Sequence, residues 1–76
     1  MPSEKSASLL DKQIGQKIKE FRKKKNLTTK ELGMCIHVSQ QQVSRYERGI
    51  NQINIDLLAE LSFLFGVPIF EFLKKE

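Results

Sequence analysis

The stretch from Thr28 to Gly49 constrains the fold most, because it contains the start signals of two short helices. Thr28 is followed three residues later by Glu31, and Ser39 is followed three residues later by Gln42. In this spacing the hydroxyl accepts a hydrogen bond from a backbone N–H inside the helix, and the Glu or Gln side chain returns to the N–H of the cap residue. The sequence therefore predicts two helices joined by a tight turn, each opened by a capping box.

The second of these helices has two chemically different sides. Val43 and Glu47 occupy one side. The other side carries the candidate base-reading residues, which are Gln40, Gln41, Ser44 and Arg45. A short helix with amides and a guanidinium on one face meets the requirements for reading base edges in the major groove of double-stranded DNA.

The chain is long enough for one domain only, at 76 residues. Its single cysteine, Cys35, excludes an internal disulfide and suits a reducing compartment. No apolar run approaches the roughly 20 residues that cross a membrane, and the first eight residues are polar rather than signal-like. These features predict a cytoplasmic protein with no membrane partner.

Charge is distributed unevenly along the chain. Residues 1–50 carry 11 Lys or Arg and 5 Asp or Glu, whereas residues 51–76 carry 2 and 4. The basic half is the one with the two-helix motif, and a polyanion bound there would explain the excess. Lysines that only keep helix faces solvated would give the same count. The run Lys23–Lys25 also has two explanations, phosphate binding or a purely structural role, because cations at a helix C-terminus are favourable without any ligand.

Five helices are predicted, in a domain over residues 9–76 that follows a flexible arm over residues 1–8. The first helix runs to about residue 24, and its apolar stripe is Leu10, Ile14, Ile18 and Phe21. The fourth follows Asn54, with an inward stripe of Ile55, Leu58, Leu61 and Phe65. The fifth follows Pro68. The apolar surface of this half exceeds what one small core takes, so either the C-terminal tail folds back over it or it forms a dimer interface, with Phe63, Phe70 and Phe72 as the predicted interface residues.

Individual residues of the first half also carry predictions. Arg22 lies at the edge of the first apolar stripe, and Glu47 is the candidate for a buried partner. His37 is predicted in a left-handed turn between the two short helices, where His is among the better tolerated residues. Gly33 weakens a helix by up to about 1 kcal/mol relative to Ala, which is explicable if another helix backbone approaches it closely.

Three groups of residues together resemble the phage repressor/Cro family of helix-turn-helix regulators, also called XRE-type. They are Leu27-Thr28-x-x-Glu31-Leu32, Val38-Ser39-x-x-x-Val43-Ser44-x-Tyr46-Glu47-x-Gly49, and Leu58-x-x-Leu61 with Phe65-Gly66-Val67-Pro68. The resemblance covers about residues 14–73. The shorter run over residues 39–47 is also similar to fimbrial-operon regulators of enteric bacteria.

The resemblance implies an all-α, five-helix, lambda-repressor-like domain that binds operator DNA as a homodimer. The family's base contacts map onto the four candidate base-reading residues, and its buried ion pair maps onto Arg22 and Glu47. Two positions depart from the family pattern. Thr29 stands where the family often has a Gln that braces a phosphate, and His37 stands where it usually has Gly.

The expected function is sequence-specific regulation of transcription, as a repressor on a palindromic operator. Phosphate contacts are expected from Thr29, Lys30, Ser39, Arg48, Asn51 and Gln52. An antitoxin- or antirepressor-type interaction module with the same fold is the alternative. An enzyme is not expected, because the sequence has no Ser–His–Asp, Cys–His or metal-spaced cluster. No metal, cofactor or small-molecule effector is expected either.

Overall fold

The computed structural model describes residues 8–74, and these residues form five helices and no strand. The helices are α1 (Leu9–Lys24), α2 (Thr29–Ile36), α3 (Gln40–Glu47), α4 (Ile55–Phe65) and α5 (Phe70–Leu73). The predicted all-α, five-helix fold is thereby confirmed. Apart from Ser8, the predicted N-terminal arm lies outside the described residues, as do the last two residues of the predicted domain. Within the described range, no helix has the length and apolar character to span a membrane.

Side-chain caps start the first four helices. Ser8, Thr28, Ser39 and Asn54 each accept a hydrogen bond from a backbone N–H three residues later. The capping box of α2 is complete, because the Glu31 carboxylate also accepts from the Thr28 N–H at 2.8 Å. In α3 only the hydroxyl half forms, from the Gln42 N–H to Ser39 Oγ at 3.1 Å. The second capping box predicted from the sequence is therefore incomplete.

Left-handed residues end the helices and let the chain reverse. Asn26 adopts φ 58° after α1, and His37 adopts φ 63° between α2 and α3. The His37 N–H donates to the carbonyl of Gly33, so it closes the last turn of α2. The predicted left-handed turn at His37 is confirmed. Because His37 is not a glycine, this conformation carries some strain.

The core lies where α1, α2, α3 and α4 meet, and α5 closes one side of it. Its fully buried side chains include Ile18, Leu32, Leu61 and Phe72. Phe72 contacts Phe21 edge-on with ring centroids 5.3 Å apart, and Phe65 lies within 5.7 Å of the same Phe21 ring. This aromatic cluster attaches α5 to α1 and α4, because such rings bury large apolar surfaces in a preferred geometry.

The prediction that Phe72 lies in an exposed dimer interface is wrong. Its side chain is 0% exposed, whereas Phe70 is 62% exposed. Two residues that are two apart on a helix point about 200° away from each other, so only one of them can face the core. The turn that begins α5 directs Phe72 inward and Phe70 outward.

Two residues assigned to inward apolar stripes also lie at the surface. Ile55 is 65% exposed and Leu10 is 50% exposed. Both belong to the first turn of their helices, Ile55 in α4 and Leu10 in α1. The correct periodicity therefore did not guarantee burial, because the end of a helix can extend past the core that covers its middle.

Candidate nucleic-acid interface

Helix α3 is attached to the domain by one side and exposes the other. Val43 is 1% exposed and belongs to the core. Gln40, Gln41 and Arg45 are exposed, and Ser44 is half-buried. Gln41 and Arg45 are surface neighbours because they lie four residues apart on a helix. The structure thus brings the four candidate base-reading residues onto the solvent-facing side of one helix.

A buried ion pair joins α3 to α1. Arg22 is only 8% exposed, and its Nε and Nη2 donate to the two carboxylate oxygens of Glu47 at 2.6 and 3.1 Å. The remaining Nη1 donates to the carbonyl of Leu27 at 2.8 Å. A two-pronged guanidinium–carboxylate contact constrains orientation as well as distance. Arg22 therefore links α1, the connection to α2 and the C-terminal turn of α3 at one point.

Gly15 lets the backbones of α1 and α3 approach each other. A Cβ built on Gly15 would meet the carbonyl oxygen of Tyr46 and would lie 2.7 Å from that of Glu47. Sequence reasoning missed this position. The available signal was the same as for Gly33, namely a glycine inside a helix, where it is about 1 kcal/mol less favourable than Ala. The glycine makes room for the packing that sets the position of α3.

The second close approach holds α2 against the turn. A Cβ on Gly33 would lie 2.5 Å from the carbonyl oxygen of Val38 and 3.3 Å from the carbonyl carbon of Ser39. The approaching backbone is thus the turn and N-cap of α3, where another helix was expected. Together with Gly15, this contact fixes α3 from both of its ends.

The start of α2 carries two of the candidate phosphate contacts. Lys30 is exposed and Thr29 is half-buried. The capping box satisfies the backbone N–H groups of Thr28 and Glu31, but those of Thr29 and Lys30 have no acceptor among the described residues. Free N–H groups at a helix N-terminus are suited to an anion such as phosphate.

The other candidate phosphate contacts lie at the start and after the end of α3. Ser39 and Gln52 are exposed, and Arg48 is exposed with its Nε 3.4 Å from the carbonyl oxygen of Ser44. Asn51 is half-buried, and its Oδ1 is buried without a hydrogen-bond partner in the described part of the chain. Of these residues, only Arg48 is hydrogen-bonded to a candidate base-reading residue in that part.

The structure leaves two of the three predicted dimer residues at the surface. Phe63 of α4 is 90% exposed, and Phe70 of α5 is the other. Leu73 adds further exposed apolar area at the end of α5. Within residues 8–74, no group of three or more His, Cys, Asp or Glu side chains is arranged to hold a metal ion.

Comparison with protein families identifies the region that contains this interface. The model of a family described as Helix-turn-helix matches residues 18–72. Among curated relatives, the HTH-type transcriptional regulator y4wC of Sinorhizobium fredii is 36% identical over 53 residues. The alignment covers 70% of this chain and 37% of that regulator, so the chain spans less than two fifths of its relative's length.

Solved structures show the same arrangement of helices. The clp gene regulator ClgR of Corynebacterium glutamicum superposes with a TM-score of 0.78 at 30% identity, covering 87% of this chain and 86% of that one. The P22 c2 repressor, solved in complex with a synthetic operator, superposes with a TM-score of 0.73 at 28% identity, covering 83% and 96%. Both likenesses extend well beyond the two-helix motif.

Proposed function

The chain belongs to the XRE-type helix-turn-helix family of transcriptional regulators, and from this premise we propose that it binds double-stranded DNA sequence-specifically through α3. The observation that carries the proposal is the orientation of α3. Its Val43 is buried and its Glu47 is bound to Arg22, while Gln41 and Arg45 face solvent. The P22 c2 repressor, which has this fold, was solved with an operator.

The exposed side of α3 supplies the groups that distinguish base pairs. An amide of Gln40 or Gln41 can pair with adenine through two hydrogen bonds, and the guanidinium of Arg45 can do so with guanine. Each such pair discriminates against a wrong base by about 1–3 kcal/mol. Ser44, half-buried beside them, adds a short hydroxyl contact.

Phosphate contacts on either side of α3 would fix its register in the groove. They would come from the start of α2, through Thr29 and Lys30, and from the loop after α3, through Arg48, Asn51 and Gln52. Ser39 would contribute beside its own cap bond. Such contacts orient a protein on the duplex without reading its sequence.

A homodimer is the second element of the proposal. Phe63 and Phe70 would form its interface, because large exposed apolar residues on a small domain mark contact surfaces. Two-fold symmetry would place half-sites of a palindromic operator about 34 Å apart. A stable heteromer with a different protein, found by sedimentation in place of the homodimer, would instead favour the antitoxin- or antirepressor-type alternative.

The narrower elements follow from the same interface. A cytoplasmic dimer bound at a palindrome would block polymerase, which is the repressor role. Residues 39–47 are similar to fimbrial-operon regulators of enteric bacteria, and they comprise the N-cap and the whole of the base-reading helix. Fimbrial genes are therefore the proposed targets.

Selection of bound duplexes from a random pool, at two salt concentrations, tests the proposal. The wild-type protein should yield a symmetric motif. Arg45→Ala should lose the preference at one base pair, whereas Arg48→Ala should keep the motif, bind all sequences more weakly and lower the salt slope by about 1. A pool without any enriched motif would contradict the proposal, and an unchanged motif for Arg45→Ala would remove Arg45 from the base-reading set.

A further inference from the structure

The lysines of α1 do not act as one cluster, because the structure distributes them over different faces. Lys24 lies over the Phe21 ring, with its Nζ 5.7 Å from the ring centroid. Lys17 is buried beside the groove between α1 and α5, with its Nζ 3.7 Å from the Glu20 carboxylate. Lys23 and Lys24 therefore lie on different faces of α1, about 100° apart around the helix axis.

Three other lysines share one exposed stripe. Lys12, Lys19 and Lys23 are exposed, and their spacing of seven and four residues places them within about 40° of arc around the helix axis. The stripe is about 16 Å long, at 1.5 Å of rise per residue. Exposed Gln16 continues it between Lys12 and Lys19. We call these three lysines the lysine stripe.

The lysine stripe lies beside the edge of α1 that contacts α3. Gly15 and Arg22 mark that edge through their contacts with the end of α3, and Lys19 follows the same side of the helix. At the other end of the stripe, a Cβ on Gly49 would lie 2.6 Å from the Cα of Lys12 and 2.7 Å from its Cγ. Lys12 is thus packed against the residue that follows Arg48.

The same edge leads to the base-reading side of α3. Ser44 lies three residues before Glu47 and four after Gln40, so Gln40 and Ser44 stand where the base-reading side of α3 meets its anchored side. Because Arg22 binds Glu47, α1 lies at the C-terminal end of that boundary. The lysine stripe therefore reaches the C-terminal end of α3, where Lys12 packs against Gly49 next to Arg48.

No carboxylate neutralises the stripe within residues 8–74. The nearby acids have other partners, because Asp11 accepts from the Ser8 hydroxyl, Glu20 pairs with Lys17, and Glu47 pairs with Arg22. None of the three stripe lysines has an ion pair or hydrogen bond through its side chain in this part of the chain. Three unpaired cations on one face repel one another, and a polyanion relieves that repulsion.

We propose that the lysine stripe of α1 is a second phosphate-binding surface, which holds DNA backbone beside the half-site read by α3. This proposal rests on the proposed function. It adds Lys12, Lys19 and Lys23 to the phosphate contacts, and it excludes Lys24, whose Nζ lies over the Phe21 ring. The stripe contributes affinity and salt dependence, with no effect on base preference.

The test compares two double variants of equal net charge. Lys19→Gln/Lys23→Gln removes two stripe lysines, and Lys24→Gln/Lys74→Gln removes two lysines from other faces. Gln is a good helix former, so both variants should keep the wild-type circular dichroism and unfolding midpoint. The measured quantity is the slope of log affinity against log salt concentration, on the selected site and on a scrambled duplex.

The stripe variant should lower the slope by about 1.8 on both duplexes, at about 0.9 for each phosphate that the protein no longer neutralises. The control variant should keep the wild-type slope, and both variants should select the wild-type motif. Equal slopes for the two variants would overturn the proposal, because net charge alone would then explain the effect. Failure of the wild-type protein to select a motif would overturn the proposed function instead, while the slopes on the scrambled duplex would still decide the proposal.

Discussion

Different kinds of interaction stabilise the first half of this domain, from α1 to α3, and the second half, from α4 to α5. From α1 to α3 directional contacts are added to the apolar core, namely a complete capping box, a two-pronged ion pair and two backbone approaches at glycine. From α4 to α5 they are mainly apolar, through Leu61, Phe65 and Phe72, and large apolar side chains remain outside. Directional contacts define an orientation, whereas apolar burial depends mainly on area and fit.

This difference corresponds to the two proposed tasks. A base-reading helix must present Gln41 and Arg45 at a defined angle, because bidentate pairing to a base tolerates little misplacement. A dimer surface built on Phe63 and Phe70 needs exposed apolar area, which the second half supplies. The structure therefore combines a precisely oriented half with a half whose surface is unpartnered in the monomer.

Phe72→Ala should have the largest effect, because Phe72 anchors α5 to the aromatic cluster. We expect a loss of about 3–5 kcal/mol in the free energy of unfolding, measured by denaturant titration. Phe63→Ala is the matched control, and it should change monomer stability by less than about 0.5 kcal/mol because the side chain is exposed. Similar losses for both variants would show that α4 and α5 do not pack as described.

Gly15→Ala tests the directional half. The added Cβ meets the backbone of α3 rather than a flexible side chain, so α1 or α3 must shift. We expect a loss of about 3 kcal/mol, at the upper end of overpacking effects, together with a loss of sequence-specific DNA binding. Gly66→Ala is the control in the other half. No atom lies within 4 Å of its Cβ, so only the strain of φ 69° remains, at about 1–2 kcal/mol.

Glu47→Gln should have an intermediate effect on stability. It keeps the shape of the side chain but removes the charge that Arg22 faces in a buried site. We expect a loss of about 1.5–3 kcal/mol, the range for hydrogen bonds to charged groups, measured by thermal and denaturant unfolding. Glu60→Gln, on the exposed surface of α4, should be almost neutral. Equal losses of stability at the two sites would show that the ion pair does not hold α3 in its orientation.

His37→Gly should have the smallest effect and the opposite sign. Glycine relieves the strain of the left-handed conformation, but it increases the entropy of the unfolded chain. The net result should be a gain of up to about 1 kcal/mol in the free energy of unfolding, with the DNA motif unchanged. Destabilisation would show that the His37 side chain contributes more than its backbone conformation indicates.

Several features could be predicted because they depend on neighbours along the chain. Thr28, Ser39 and Asn54 are caps whose partners lie three residues away. His37 and Asn26 are residue types that tolerate positive φ, and His37 was assigned to the turn between the two short helices. Arg22 and Glu47 were paired from the edge of one stripe and the family pattern, and the structure brings them together from 25 residues apart.

Other features could not be predicted because they depend on what covers a residue. Phe70 and Phe72 are identical in type and two residues apart, so the sequence does not tell which one faces the core. Ile55 continues a correct stripe but lies where the core ends. Gly15 could have been flagged as a helix-interior glycine, although the backbone that it admits belongs to a helix about 30 residues further on.

The amino-acid sequence by itself determined the helices, their caps, the turns and the chemical character of α3, since local hydrogen bonds and backbone preferences set these over three or four residues. Only the tertiary structure decided which face of α1 lies beside α3, which phenylalanines stay outside and how closely α1 approaches α3. Which face of a helix is covered depends on the packing of segments that are distant along the chain. The sequence pattern gives the period of a helix but not the position of its neighbours.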